Sequence, residues 1–204
     1  YKIGIVFVAF LLLFSACKIK KSVEKKEIKS EVTPERISTK APNVTVLEKT
    51  FVINGLNTVP HKVWLYLPPN YKTSTENYGV IYMHDAQNLF DSETSYVGEW
   101  KVDEYLDTLD SNQSIVIGIE HGNEKRIDEL TPYKHEKYGG GKGDAYLTFI
   151  KNTLKPHVDV TYRTKPKAEH TTIFGSSLGG LIAFYATIKY PDTFGKSGVF
   201  SPAF

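Results

Sequence analysis

The stretch Gly175-Ser176-Ser177-Leu178-Gly179 has the clearest capacity for covalent chemistry. A serine hydroxyl becomes a useful nucleophile only when a neighbouring base takes its proton and nearby donors hold the developing oxyanion. Glycines two positions before and two after Ser177 let a strand and a helix meet without a Cβ clash, in a strained turn that lifts the hydroxyl clear of both. The same turn aims the amide N–H of Leu178, and the positive end of the following helix, at the space above Ser177. The five-residue pattern alone also fits a Gly-rich turn that merely packs. Its flanks favour the nucleophile: residues 171–175, "TTIFG", read as a buried strand, and residues 178–190, "LGGLIAFYATIKY", as a helix.

The elements that must carry this turn follow from the pattern upstream. Residues 44–53 and 61–68 are β-rich runs separated by "NGLNTVP", which predicts a hairpin closed by Pro68-Pro69. Residues 79–85, "GVIYMHD", and 114–120, "SIVIGIE", are continuous apolar runs of the kind found in strands covered on both faces. Between them, Trp100, Val102, Tyr105, Leu106 and Leu109 fall at helical spacing over 99–109. Residues 143–158 predict a second helix with Pro156 near its end, and 195–201 a further strand. Strand and helix thus alternate, which predicts an α/β domain: a mostly parallel sheet with crossover helices on both faces.

Two loops leave the ends of these strands on the side of Ser177. The first, "MHDAQNLFD" (83–91), places His84 and Asp85 together. Neighbours at a strand end point to opposite faces, so they are expected to brace the loop rather than act as a base and its partner. The second, "EHGNEKRIDELTPY" (120–133), carries Arg126, a candidate either for an acidic substrate group or for an ion pair with Asp128 or Glu129. Asp85 and Arg126 are the candidate pocket residues. "YGGGKGD" (138–144) lacks the spacing and the preceding strand of a phosphate loop and reads as a mobile loop near the cleft. No histidine or carboxylate grouping has metal-ligand spacing, and serine hydrolysis needs neither metal nor cofactor.

"YMHDAQNLFD", "TPY" (131–133), "YRT" (162–164), "FGSSLGGLIAFYA" and "YPDTFGKSGVFSPAF" together resemble the putative-esterase family of α/β-hydrolases. That family takes in enterochelin-esterase-like enzymes, the esterase D group and feruloyl or acetyl-xylan carbohydrate esterases. The resemblance covers residues 45–204. It implies that Ser177 is the nucleophile and that the backbone N–H groups of Leu178 and Gln87 form the oxyanion hole. Ala86 stands where many relatives have glycine, so Ala86 itself is the alternative second donor. In this fold the triad runs serine, acid, histidine. All six histidines precede Ser177, and the only acid after it, Asp192, belongs to a turn. The resemblance therefore implies a chain lacking its C-terminal strands, with about 60–100 further residues expected from normal domain size.

The remaining sequence concerns location. Residues 3–16 are an apolar run ending in Ser15-Ala16 before Cys17, the sole cysteine. The run is short for a bilayer span, which takes about 20 apolar residues, but suits a secretory signal. "LLFSAC" resembles a bacterial lipobox, in which the cysteine is lipidated; a plain signal peptide is the alternative. Residues 18–43 mix Lys, Glu, Ser and Pro without periodicity and read as a disordered tether, leaving 44–204 as the catalytic domain. With a net charge of +2 and its densest run of lysines in the tether, the chain shows no nucleic-acid face. The combined expectation is an extracytoplasmic, lipid-anchored serine esterase acting on small-molecule or polysaccharide-linked esters. A serine peptidase or acyltransferase of the same fold, or an inactive binding lipoprotein, are the alternatives.

Overall fold

The structure, a computed structural model, describes residues 36–56 and 59–204. Cys17, the signal segment and residues 18–35 of the tether lie outside them. The central sheet has six strands: β1 (Val44–Val46), β2 (Val63–Tyr66), β3 (Gly79–His84), β4 (Ser114–Ile119), β7 (Thr171–Ser176) and β8 (Lys196–Phe200). They lie in the order β1-β2-β4-β3-β7-β8. The first two pairings are antiparallel, and β4, β3, β7 and β8 run parallel. A two-stranded hairpin, β5 (Lys134–His135) with β6 (Gly139–Gly140), stands apart from it.

Period-two alternation splits the core into two layers. Val63 and Leu65, Val80 and Tyr82, Ile115, Ile117 and Ile119, and Ile173 point to one face. There they meet the helical stretch formed by α3 (Gly143–Phe149), a π-helical turn at Ile150–Leu154 and α4 (Lys155–Thr161), together with α5 (Leu178–Lys189). Trp64 and Tyr66, Ile81 and Met83, Val116 and Phe174 point to the other face, against the β3–α1 loop and α1 (Val102–Asp107). Both faces are covered, which is why these strands carry few polar residues. The helix α2 (Arg126–Leu130) follows β4.

Several boundaries differ from the sequence expectation for physical reasons. Only Val44–Val46 of the run 44–53 pairs as a strand; the hairpin partner is regained at a single bridge, Phe51 with His61. The helix expected over 99–109 shortens to α1, because Lys101 adopts a left-handed conformation at φ 57°. Trp100 thus leaves the helix, Tyr105 is exposed, and Asp103 is the buried residue of α1. Pro156 does not end its helix. The π-helical turn directly before it accommodates a residue that can neither donate to the ladder nor tolerate a normal turn beneath its ring.

The tether also ends earlier than expected. Ser38 Oγ donates to Asp91, the Ala41 amide to Asp103 Oδ2, and the Asn43 side chain to Leu67 O and Asp107. Residues 36–43 are therefore strapped to the domain by side-chain and backbone hydrogen bonds that no local pattern announces. The loop 86–90 is likewise set by a close approach. A Cβ on Gly118 of β4 would lie 2.9 Å from Ala86 Cβ and 3.1 Å from a Phe90 ring carbon. Gly118→Ala is expected to lift this loop and to cost about 1–3 kcal/mol, as overpacking does. Urea denaturation measures it, and an unchanged midpoint would show that the loop does not rest on Gly118.

Candidate active site

Ser177 sits between β7 and α5 with φ 54° and ψ −120°, a conformation that L-residues rarely hold. Its amide donates to Phe200 O at 3.0 Å, and its carbonyl accepts from Leu181 N at 3.0 Å and Ala203 N at 3.1 Å. The end of β8 therefore fixes the turn from outside. Gly175 makes the turn sterically possible, since a Cβ there would stand 2.6 Å from the Gly179 carbonyl carbon. The side chain of Ser177 is exposed in a cleft of about 550 Å³. Among the described residues, the Leu178 and Gln87 amides have no hydrogen-bond acceptor.

The cleft walls come from three strand ends. His84 and Asp85 come from the end of β3, His121 and Asn123 from the loop after β4 with Arg126 at the start of α2, and Ser176 and Ser177 from the end of β7. Asp85 and Arg126, the expected pocket residues, are both here but hold each other. Arg126 Nε donates to Asp85 Oδ1 at 2.6 Å and Nη2 to Oδ2 at 2.8 Å, a bidentate pair that raises the guanidinium pKa further. The alternative pair with Asp128 or Glu129 does not form. Asp128 pairs with Lys142, and Glu129 is buried against His61 and the Gly122 amide. Asp85 can reach across because it adopts a left-handed backbone, φ 60°, which turns its carboxylate out of the strand direction.

His84 does not brace its own loop. Its Nδ1 bonds the Tyr146 hydroxyl of α3 at 2.8 Å, and burial lowers its pKa to about 4, with Asp85 raising it and Arg126 lowering it by smaller amounts. The imidazole is neutral at neutral pH. His121 is the other cleft histidine. Burial lowers its pKa too, and its Nδ1 accepts the Asn123 amide at 2.9 Å. The ring proton therefore lies on Nε2, so His121 presents a donor and not a base. The remaining histidines are engaged elsewhere: His61 with Glu129, His135 within its hairpin, His157 against Phe51 and His170 with Glu169. None of these contacts reaches Ser177.

The sequence pattern did not identify Trp100 and Tyr96 as cleft residues. Trp100 packs against Phe174 and Phe200, with ring centroids 6.2 and 6.3 Å apart, once it is freed from α1. An aromatic directly before a helix start is the only local signal, and it does not say which way the ring turns. The run 138–144 corrects an expectation, because Gly139 and Gly140 form β6 and none of these residues lines the Ser177 cleft. The fold also makes a carboxylate group that the spacing did not suggest: Glu99, Asp103 and Glu104, with ligand oxygens within 4.8 Å of one another. Burial pushes the Asp103 carboxyl up to about 6, with the Ala41 amide opposing and Glu104 adding to the rise. This group could hold a cation, but it is not part of the cleft wall.

Residues 57–204 match the family described as "Putative esterase". The chain belongs to this family. The Bacillus subtilis (strain 168) protein YbbA is 32% identical over 146 residues, covering 69% of this chain and 56% of that protein. The ferri-bacillibactin esterase BesA of the same organism is 27% identical over 136 residues, covering 57% of this chain and 45% of the relative. A crystal structure of the BES protein from Bacillus cereus superposes with a TM-score of 0.63 at 18% identity, over 80% of this chain and 62% of that one. The chain spans about half the length of the curated relatives it matches. The mostly parallel sheet with covered faces is the α/β-hydrolase fold expected from the sequence.

The buried His84 makes a pH prediction. With its native pKa near 4 and its unfolded value near 6.5, the native state binds fewer protons in that window, so this contribution to stability is lost as pH falls from 6.5 to 4. The raised Asp103 carboxyl acts in the opposite direction, so the comparison must be with a His84 variant. The stability advantage of the wild type over His84→Gln is expected to shrink on acidification by on the order of 3 kcal/mol. Parallel urea curves for the two proteins at pH 7 and pH 4.5 would contradict it.

Proposed function

We propose that the protein is a carboxylic-ester hydrolase working through an acyl-serine at Ser177, on an extracytoplasmic lipoprotein. The observation that carries this reading is the Ser177 backbone, held at φ 54° and ψ −120° with its side chain open to the cleft. A packing serine gains nothing from such strain, whereas a nucleophile gains exposure and a neighbouring amide. Membership of the esterase family supports the same chemistry, and the name of BesA supports small-molecule esters as the substrate class.

In this reading Ser177 Oγ attacks the ester carbonyl while a base takes its proton. The Leu178 and Gln87 amides hold the oxyanion; both lack an acceptor among the described residues. Collapse breaks the bond to the alcohol, which leaves with the proton from the base. Water then adds to the acyl-serine by the same route and frees the acid. None of the described histidines is placed to take this proton: five are engaged elsewhere and His121 presents a donor. The Asp85–Arg126 pair would wall the cleft rather than bind a substrate anion, because its two charges already satisfy each other.

In the complete gene product, Ser177→Ala is expected to lower kcat/KM for a short-chain ester by about 10⁴-fold or more and to abolish labelling by a fluorophosphonate probe. Retained labelling would move the nucleophile elsewhere; a wild type that neither labels nor turns over would favour a binding lipoprotein. For the anchor, Cys17→Ser is expected to shift the protein from the membrane fraction to the soluble fraction and to stop incorporation of labelled fatty acid. Unchanged fractionation would leave a plain signal peptide or none.

A further inference from the structure

The fold gathers Glu99, Asp103 and Glu104 at the start of α1, with one carboxylate oxygen from each within 4.8 Å of the other two. Carboxylates this close repel one another, and such a group is ordinarily relieved by a lysine or arginine. Here no described basic side chain forms an ion pair with any of the three. The donors that do reach the group are neutral and come from the N-terminal strap. The Thr39 hydroxyl donates to Glu99 Oε1 and the Ala41 amide to Asp103 Oδ2, each at 2.8 Å.

A second observation lies inside the group. Asp103 is 0% exposed, and among the described residues its Oδ1 has no hydrogen-bond partner. Glu104 Oε2 is likewise closed to solvent and unpartnered. Burial raises the Asp103 carboxyl, the Ala41 amide opposes, and Glu104 adds to the rise because its own carboxyl stands close by. These oxygens therefore face one another within the group and not the solvent. A buried carboxylate oxygen without a donor is costly, and one cation relieves several at once. The ligands on offer are hard carboxylate oxygens with no imidazole or thiolate among them, which suits calcium or magnesium over a transition metal. Calcium accepts irregular shells, and oxygens on its opposite sides stand about 4.6–5.2 Å apart; magnesium demands a regular octahedron and keeps most of its water.

We propose that Glu99, Asp103 and Glu104 form a calcium site that fastens the strap at 36–43 to the start of α1. The three side chains supply part of the shell and water the rest. Thr39 and Ala41 orient two of the three carboxylates from the strap, so the ion and the strap stabilise each other. Trp100 stands between Glu99 and α1 and lines the Ser177 cleft, which ties the ion to the cleft wall. The site does not depend on the ester-hydrolase reading.

The test uses the full chain stripped with EGTA. Calorimetric titration with Ca²⁺ is expected to show one site per chain, and Tb³⁺ bound there is expected to luminesce on tryptophan excitation until Ca²⁺ displaces it. Asp103→Asn and Glu104→Gln are each expected to weaken Ca²⁺ binding about 10-fold or more, since calcium affinity follows the number of charged ligands. Glu76→Gln, at an exposed carboxylate elsewhere, is expected to bind as the wild type does. Ca²⁺ should raise the urea midpoint of the wild type and of neither site variant. Circular dichroism without Ca²⁺ shows whether each variant is folded; if Asp103→Asn is not, Glu104→Gln carries the test alone. No binding by either readout, or wild-type affinity in the folded site variants, would overturn the site. Mg²⁺ binding as tightly as Ca²⁺ would overturn its assignment to calcium.

Discussion

The backbone of Ser177 is the constraint on which the rest of the structure depends. Holding a residue at φ 54° and ψ −120° costs about 1–3 kcal/mol, and the cost persists only where the surroundings fix the geometry from several sides. Here Phe200 O, Ala203 N and Leu181 N each bond the Ser177 peptide groups. Two of those three partners belong to the end of β8 and the residues after it. The elbow is thus not a property of "GSSLG" alone. It requires β8 to lie parallel beside β7 in register, Ser176 opposite Phe200.

Around that fixed point the cleft is assembled by polar bonds that cross between elements. Asp85 at the exit of β3 holds Arg126 of α2, and His84 one residue earlier holds Tyr146 of α3. The two side chains diverge, as neighbours at a strand end must, so one strand exit anchors two helices. The Asp85–Arg126 pair is partly open to solvent, and its bidentate geometry favours orientation over stability. The His84–Tyr146 bond is fully buried, and that burial keeps the imidazole neutral at the cleft wall. Burial here trades a titratable group for a rigid wall.

A polar cavity that adjoins the cleft at Tyr96, His121 and Asn123 and is lined by Lys62, Glu93 and Glu120, and the N-terminal strap, depend on the same packing. The loop 86–90 is pressed onto Gly118, and its Gln87 lines that polar cavity. The strap at 36–43 closes over α1 and the Asp91 turn, and brings Arg36 to that cavity. A segment whose composition suggests only a spacer therefore contributes to the wall of a cavity beside the Ser177 cleft.

Local sequence was enough for the tight turn at Ser177, the strands and most helices, because strand burial and helical spacing leave period-two and period-3.6 traces in consecutive residues. Gly175 and Gly179 mark the elbow for the same reason: the need for a missing Cβ is felt by the residue itself. The partners of Arg126 and His84, the escape of Trp100 from α1, the burial of Asp103 and the strap of 36–43 left no such trace. Apart from Trp100, which the left-handed Lys101 keeps out of α1, each is decided by residues distant in sequence, such as Asp85 for Arg126 or Tyr146 for His84. Charge and spacing made Asp128 and Glu129 look like the natural partners of Arg126, two and three residues on. The tertiary structure gave them to Lys142 and His61, because only the packed sheet brings the exit of β3 within reach of a guanidinium on α2.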